Sequence, residues 1–317
     1  MGAWDRTLIV TDSWDATADI VALRLEDKSF RLNSDLIRDY KIQWRGSSDF
    51  EISDPTGRSV RSHNVGSIYW RKPFSSDMYL DRRNPEYFFY SECRYLIREI
   101  YNVSRAAGAF ALIEEGAERR LGKIRQLLLA REHFDVPEWM VTLGSDYTAP
   151  EFTVAKSLSG EQTDAENVLY TTRIDGQDLD PAHVWFTQVA IDKTADVTVC
   201  FVQGNIFAFR LATIPGVTDW RATIGSTDTL EWLHFELPAS IALGIRNFMA
   251  KCDLQFGRLD FVLKEDRFFF LEVNPNGQWA WLDLDDRWGL VTAVVDAVRA
   301  DGVFATQRRA RLTTNLQ

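Results

Sequence analysis

An α/β (α+β) chain is predicted by three features of the sequence. A short apolar, β-rich run, Thr7-Leu8-Ile9-Val10-Thr11, is followed at once by residues 16–25, where Ala18, Val21, Ala22 and Leu25 recur at helical spacing. Far along the chain, residues 256–263 and 268–273 read as two mostly apolar strands joined by a polar turn at 264–267, which makes a hairpin. Just before it, residues 237–252 place Ile241, Ile245, Phe248 and Met249 on one helical face, suited to packing on a sheet. At 317 residues and 45% hydrophobic, the chain can bury a large core and is expected to form two or three lobes.

Composition excludes several classes of function. The formal net charge is -10 and the pI is near 5.0, so no general attraction to a nucleic-acid backbone operates, although a basic guest fits. Cys93, Cys200 and Cys252 are odd in number, widely spaced and outside any metal pattern, which points to reduced packing thiols in a cytoplasmic protein. No signal pattern opens the chain, and no apolar run approaches the roughly 18 residues that span a bilayer, so membrane insertion is not expected. His63, His133, His183 and His234 lack ligand spacing and there is no Gly-x-x-x-x-Gly-Lys loop, which disfavours zinc chemistry and a Walker-type ATPase.

The elements follow in order. After the β-α start, Phe30-Arg31-Leu32 and Ile42-Gln43-Trp44 read as strands and Asp54-Pro55-Thr56-Gly57 as a turn. Residues 67–73 (SIYWRKP) form a strand ending in a basic pair, where Arg71 and Lys72 can simply solvate the strand end. A long helix with interleaved aromatic and basic residues is expected over 84–109, and an apolar-faced one over 121–130, stopped by Val136-Pro137. Residues 152–156 make a strand ending in Lys156, followed by the Ser/Gly loop 157–160. A buried strand-end lysine needs an anionic partner and such a loop can fold over polyphosphate, whereas on the rim both are ordinary surface. Residues 184–191 (VWFTQVAI) suit a linker strand between lobes, 197–202 a further strand, and 290–300 a final helix, with the Arg-rich 308–317 as a solvated tail.

Asp260 and Glu272 interrupt the apolar hairpin twelve residues apart, on opposite sides of its turn. Antiparallel pairing can bring them close on neighbouring strands, with Asn274 two residues on along the face of Glu272. Two carboxylates side by side repel and are costly to desolvate, so a positive group belongs between them. One candidate is Mg²⁺, whose hard oxygen ligands these are, with nucleotide phosphates completing its shell. The other is pairing with Arg258, Arg267 or other bases at a sheet end. Pro275 removes a ladder donor and Gly277 permits a positive φ, so the strand must stop in a tight polar loop right after Asn274.

The run Leu-Glu-Val-Asn-Pro-Asn-Gly-Gln-Trp at 271–279 resembles the metal-binding end of ATP-grasp ligases, and of the graspetide (microviridin-type) peptide macrocyclases in particular. Other segments resemble the same family in order. Trp70-Arg71-Lys72-Pro73 is similar to its Trp-Arg-Arg-Pro segment, and residues 122–127 to its Asn-Lys-x-x-Gln-Leu segment, with Gly122 in place of the asparagine. Residues 188–191 match the Gln-Glu-Tyr-Ile hinge at Gln188 and Ile191 only. Asp196 corresponds to the acid of Asp-Ile-Arg, whose arginine is Thr198 here, and Asp219-Trp220-Arg221 matches Asp-Trp-Arg.

The resemblance implies an ATP-grasp fold with an N-terminal lobe (1–120), a central lobe (121–190) and a C-terminal lobe (191–317), and ATP between the last two. It implies Asp260, Glu272 and Asn274 as Mg²⁺ ligands. Lys123 and Lys156 would contact phosphate, Gln188, Val189 and Ile191 the adenine edge, and Asp196 the ribose. Arg221 would lie over the γ-phosphate, its alternative being a surface pair with Asp219. Thr198 cannot replace a bidentate guanidinium, and Arg210 on the adjoining strand is the expected substitute. The implied activity is ATP-dependent activation of Asp or Glu side chains of a ribosomally made precursor peptide, then ester or amide closure by its Ser, Thr or Lys. A helical leader and a homodimer belong to that expectation. Two other readings stay open: an ATP-grasp ligase for a small amino acid or free peptide, and a non-catalytic peptide-binding relative.

Overall fold

The computed structural model describes residues 4–75, 81–144, 146–159, 171–214, 216–223 and 230–300. Gly160, Pro215 and the 308–317 tail lie outside the described residues. The chain divides into two compact units, one of residues 1–117 with 275–317, the other of residues 118–274.

In the first unit, β1 (Arg6–Thr11), α1 (Ala16–Leu25) and β2 (Ser29–Asn33) form the expected β-α start. Asp15 caps α1 by accepting from the amides of Thr17 and Ala18, which fixes where the helix begins. A small antiparallel sheet of β3 (Lys41–Trp44), β4 (Phe50–Ser53) and β5 (Ser59–Arg61) follows. Next come β6 (Val65–Trp70), the long helix α2 (Tyr87–Ala106) and β7 (Phe110–Ala111). The main sheet runs β2-β1-β6-β7 with every pair parallel, as βαβ connections require. Its core joins Leu8, Val10, Leu32 and Ile68 to Ile97 and Ile100 of α2.

Arg71, at the end of β6, is wholly buried and therefore does not solvate a strand end. It pairs with Asp15 at 3.3 Å and donates to both the backbone and side-chain oxygens of Asn276, each at 2.5 Å. The polar loop that follows Asn274 is thus held through its own Asn276 by a buried guanidinium, more than an ordinary turn demands.

A one-turn helix, α3 (Ala117–Arg120), spans the division after residue 117, and α4 (Lys123–Ala130) follows in the second unit. Its first sheet has the order β11-β10-β13-β8, from β8 (Trp139–Thr142), β10 (Thr153–Lys156), β11 (Thr172–Arg173) and β13 (Trp185–Val189). The short pair β9 (Tyr147–Thr148) and β12 (Asp178–Leu179) adds a ribbon whose residues join Ala155 and Ile174 in a small core. The expected linker strand is therefore β13, an interior strand between β10 and β8.

The second sheet, β16-β15-β14-β17-β18, combines β14 (Ala195–Val202), β15 (Asn205–Ala212), β16 (Leu233–His234), β17 (Phe256–Lys264) and β18 (Arg267–Asn274). Helix α5 (Ala239–Lys251) buries Ile245, Phe248 and Met249 of the four residues its spacing places on one face, and leaves the fourth, Ile241, half-buried. Phe134, Phe248, Phe261 and Phe270 pack ring against ring, with Phe134 and Phe270 stacked at 5.9 Å. Gly257 on β17 has no room for a side chain, since a Cβ there would meet Val273 at 2.9 Å and Met249 at 3.0 Å. The last helix, α6 (Leu290–Val298), returns to the first unit and packs its buried valines against α1 and β6.

Candidate functional site

The hairpin of β17 and β18 turns at Glu265 and Asp266, and Lys264 pairs with Arg267. Counted straight back from that turn, Asp260 would oppose Leu271, and Glu272 would point to the other face. A register shift between Asp260 and Phe261 changes this: Phe261 opposes Phe270, while Asp260 opposes Glu272. Leu271 is the extra residue of a β-bulge, a device that re-aims side chains. The two carboxylates consequently share one face as direct cross-strand partners, with Asn274 two residues further along it.

Three cations contact this pair, and a fourth, Lys156, lies within range of its charge. Arg258 Nη2 donates to Asp260 Oδ2 at 3.0 Å, and Arg221 Nη2 reaches the same oxygen at 3.3 Å and Glu272 at 3.7 Å. Lys123 Nζ lies 3.3 Å from Glu272 and donates to the Ser157 carbonyl at 2.7 Å, so the first turn of α4 meets both β18 and the loop after β10. Lys156 is half-buried at the end of β10 and feels the charges of Glu272, Lys123, Asp219 and Arg221. Arg267 takes no part, because it pairs with Asp135 at 3.0 Å. Of the two named bases that could have neutralised the pair, Arg258 does so and Arg267 does not.

Asp219 and Arg221 are not a surface pair. Asp219 is 8% exposed and accepts from the Arg221 backbone at 3.1 Å, which turns the guanidinium toward Asp260 and Glu272. Asp196 is held by Lys193, whose Nζ also donates to the Thr218 carbonyl. Arg210 is not brought to the site. It opposes Val197 across β14 and β15, so it projects from the face opposite Thr198, is exposed, and stacks over Phe235 at 5.4 Å. The expected substitution of Arg210 for the missing guanidinium at 198 therefore fails on strand alternation.

Gln188 opposes Val154 on β10, two residues from the pairing of Lys156 with Phe186, so Gln188 and Lys156 share a face. Gln188 is buried, and neither atom of its side-chain amide has a hydrogen-bond partner among the described residues. Such a group fits a ligand edge that both donates and accepts. Val189 is exposed and its backbone N–H is taken by the Glu138 carbonyl, while Ile191 is half-buried.

Sequence reasoning missed two residues. Gln126, on the buried face of α4, accepts from the Val273 amide at 2.8 Å and donates to the Leu121 carbonyl, which clips β18 between Glu272 and Asn274. Its signal was a glutamine inside an apolar helix face. Thr198, read as a loss, donates to Asp260 Oδ1 at 2.8 Å.

These contacts set the charges. Burial works to raise the Asp260 carboxyl, but the guanidiniums of Arg258 and Arg221 and the Thr198 hydroxyl hold it below the ordinary carboxylate range. Burial raises Asp196, with Lys193 opposing. Burial also pushes the Lys156 ammonium down to about 8, offset in part by Glu272 and worsened by Lys123 and Arg221. A polyanion at Lys156 would restore its ordinary value, so binding takes up a proton only between that depressed pKa and the normal lysine range. Calorimetry of ADP binding in buffers of differing ionisation enthalpy should show uptake of about one proton near pH 9 and almost none near pH 7. Equal uptake at both would remove Lys156 from the anion site.

The donor set fits Mg²⁺: two carboxylates opposite one another and a carboxamide beside them are hard oxygen ligands. Among the described residues no group of three or more His, Cys, Asp or Glu is placed to hold a metal. A cation here would take its remaining oxygen ligands from the Asn274 carboxamide, water or a bound molecule.

No family model matches the chain, and neither does any curated protein. Solved structures do. A RiPP-associated ATP-grasp ligase from Chryseobacterium gregarium, in complex with ADP and a leader and core peptide, superposes with a TM-score of 0.74 at 20% identity over 93% of this chain and 96% of that one. Macrocyclase MdnC from Microcystis aeruginosa, bound with precursor peptide MdnA, gives a TM-score of 0.73 at 23% identity over 92% and 99% of the two chains. A D-alanine–D-alanine ligase from Bacillus anthracis is more distant, at 0.51 and 12% identity over 98% and 100%. The chain has the ATP-grasp fold.

Proposed function

We propose that this chain is an ATP-dependent peptide ligase. It activates Asp or Glu side chains of a ribosomally made precursor peptide as acyl phosphates and closes ester or amide cross-links with Ser, Thr or Lys of the same peptide. The observation that carries this reading is the bulge-aligned pair Asp260 and Glu272, with Lys123 and Arg221 in contact with it and Lys156 within range of its charge. Paired acids ringed by cations are what a metal–polyphosphate site requires, and they are a costly arrangement for a surface that only binds peptide.

On this reading Asp260, Glu272 and Asn274 hold Mg²⁺, which when bound neutralises charge on the terminal phosphates. Lys123 and Lys156 position those phosphates, the Gln188 amide reads the adenine edge, and Asp196 faces the ribose. Arg221 stabilises the charge that spreads over the equatorial oxygens as the γ-phosphoryl group passes to the guest carboxylate, with ADP leaving. The peptide's hydroxyl or amine then attacks the acyl carbon, loses its proton and expels phosphate. Positioning supplies most of the rate, as it does where two reactants are held together.

The likeness to ligases solved with leader, core or precursor peptides supports a peptide over a small amino acid as guest, since the D-alanine–D-alanine ligase superposes far less well. The lobe limits near 120 and 190, the microviridin-type chemistry and the homodimer rest on the resemblance in sequence motifs. Free Cys93, Cys200 and Cys252 support a cytoplasmic setting. The test is mass spectrometry of the peptide encoded beside this gene, incubated with the chain and Mg-ATP. Each closed ring removes one water, and omitting either ATP or Mg²⁺ should abolish the loss. A full-mass peptide despite bound nucleotide would instead favour a peptide-binding relative that does no ligation.

A further inference from the structure

Among the described residues, three side chains that are not equivalent contact Asp260. Thr198 donates to Oδ1, whereas Arg258 and Arg221 both approach Oδ2. Arg258 lies two residues earlier on the same strand and the same face, opposite Cys200 on one side and Asn274 on the other, and its side chain is 10% exposed. Arg221 comes from a single 3₁₀ turn, is 31% exposed, and divides itself among Asp219, Asp260 and Glu272. The first contact is built into the sheet; the second can be exchanged for another anion without disturbing a strand.

We infer that Arg258 is a positioning residue for Asp260. Its fixed guanidinium and the Thr198 hydroxyl hold one carboxylate in place, so that Arg221 can leave it for phosphate. The inference rests on the ligase reading above. It also gives a reason for the departure at 198: the guanidinium expected there on β14 is supplied from β17, and the threonine left behind fills the other oxygen of the same carboxylate. Arg258 acts through Asp260, not by touching nucleotide. Its loss should therefore weaken the metal-dependent part of binding alone, as removing an outer partner of a ligating carboxylate does.

The experiment is calorimetry of ADP binding with Mg²⁺ and with EDTA, on the full chain and on Arg258→Ala, Arg258→Lys and the double variant Arg258→Ala with Thr198→Arg. Arg258→Ala should bind Mg-ADP about 10 to 100-fold more weakly than the parent while binding metal-free ADP equally well. Thr198→Arg in that background should recover most of the loss. Arg258→Lys keeps the charge but not the planar fork, and should show about a tenfold loss; it carries the test if the alanine variant does not fold. Unchanged Mg-ADP affinity in Arg258→Ala overturns the inference, as does an equal loss with and without metal. A parent chain that binds no Mg-ADP overturns the ligase reading and this inference together, which separates the two failures.

Discussion

Replacing Glu272 by Gln is expected to lower peptide ligation by about 10² to 10³-fold, with Asp260→Asn at least as severe. The two variants separate chemistry from folding. Glu272 keeps a quarter of its side chain exposed and meets Lys123 and Arg221 at 3.3 and 3.7 Å, so a neutral amide there leaves little buried charge unpaired. Asp260 is nearly buried and answers two guanidiniums, so Asp260→Asn removes the negative charge facing both and should also lower the melting temperature. Glu272→Gln should therefore melt close to the parent yet lose both turnover and Mg-dependent ADP affinity. Turnover within tenfold of the parent in Glu272→Gln would mean that the pair is a sheet-end ion cluster and the metal-site assignment is wrong.

The parts of this site that follow a repeating pattern were legible, and the parts set by a local break in pattern were not. Helical spacing places α1 at the limits the sequence implies and puts Ile245, Phe248 and Met249 on the buried face of α5. Residue type and separation mark Asp260 and Glu272 as a pair, but their register depends on the bulge at Leu271. A chain of large apolar residues such as Phe268-Phe269-Phe270-Leu271 carries no signal for which one stands unpaired. Arg210 illustrates the converse error. Proximity in sequence to the next strand suggested a substitute guanidinium, while the period of two along a strand sends it to the other face. Arg258 obeys the same rule with the opposite result, being two residues from Asp260 and hence beside it. The roles of Gln126 and Arg71 were hidden for a different reason: each is a polar side chain bonded to backbone far away in sequence, and only the folded chain brings those partners together.

Arg221→Ala should lower turnover by about 10³-fold or more while leaving a folded chain, since buried Asp219 loses the guanidinium but keeps the backbone amide of residue 221. The asymmetry follows from who else serves each carboxylate. Without Arg221, Asp260 still accepts from Thr198 and Arg258, and Glu272 still faces Lys123, so neither acid is stranded. Burial disfavours the Arg221 cation, yet Asp260, Asp219 and Glu272 raise its pKa, so it stays charged across the working range of pH and its removal does not add a pH-dependent limb. The lost function is a planar fork aimed where charge develops as phosphoryl transfer proceeds, which an alanine cannot supply and a lysine supplies only as a point charge. Arg221→Lys should accordingly fall between the parent and Arg221→Ala in kcat, with KM for the peptide nearly constant through the series. Steady-state kinetics beside thermal melts would show it. A series in which KM rises and kcat holds would place Arg221 on the peptide and away from the transferred phosphate.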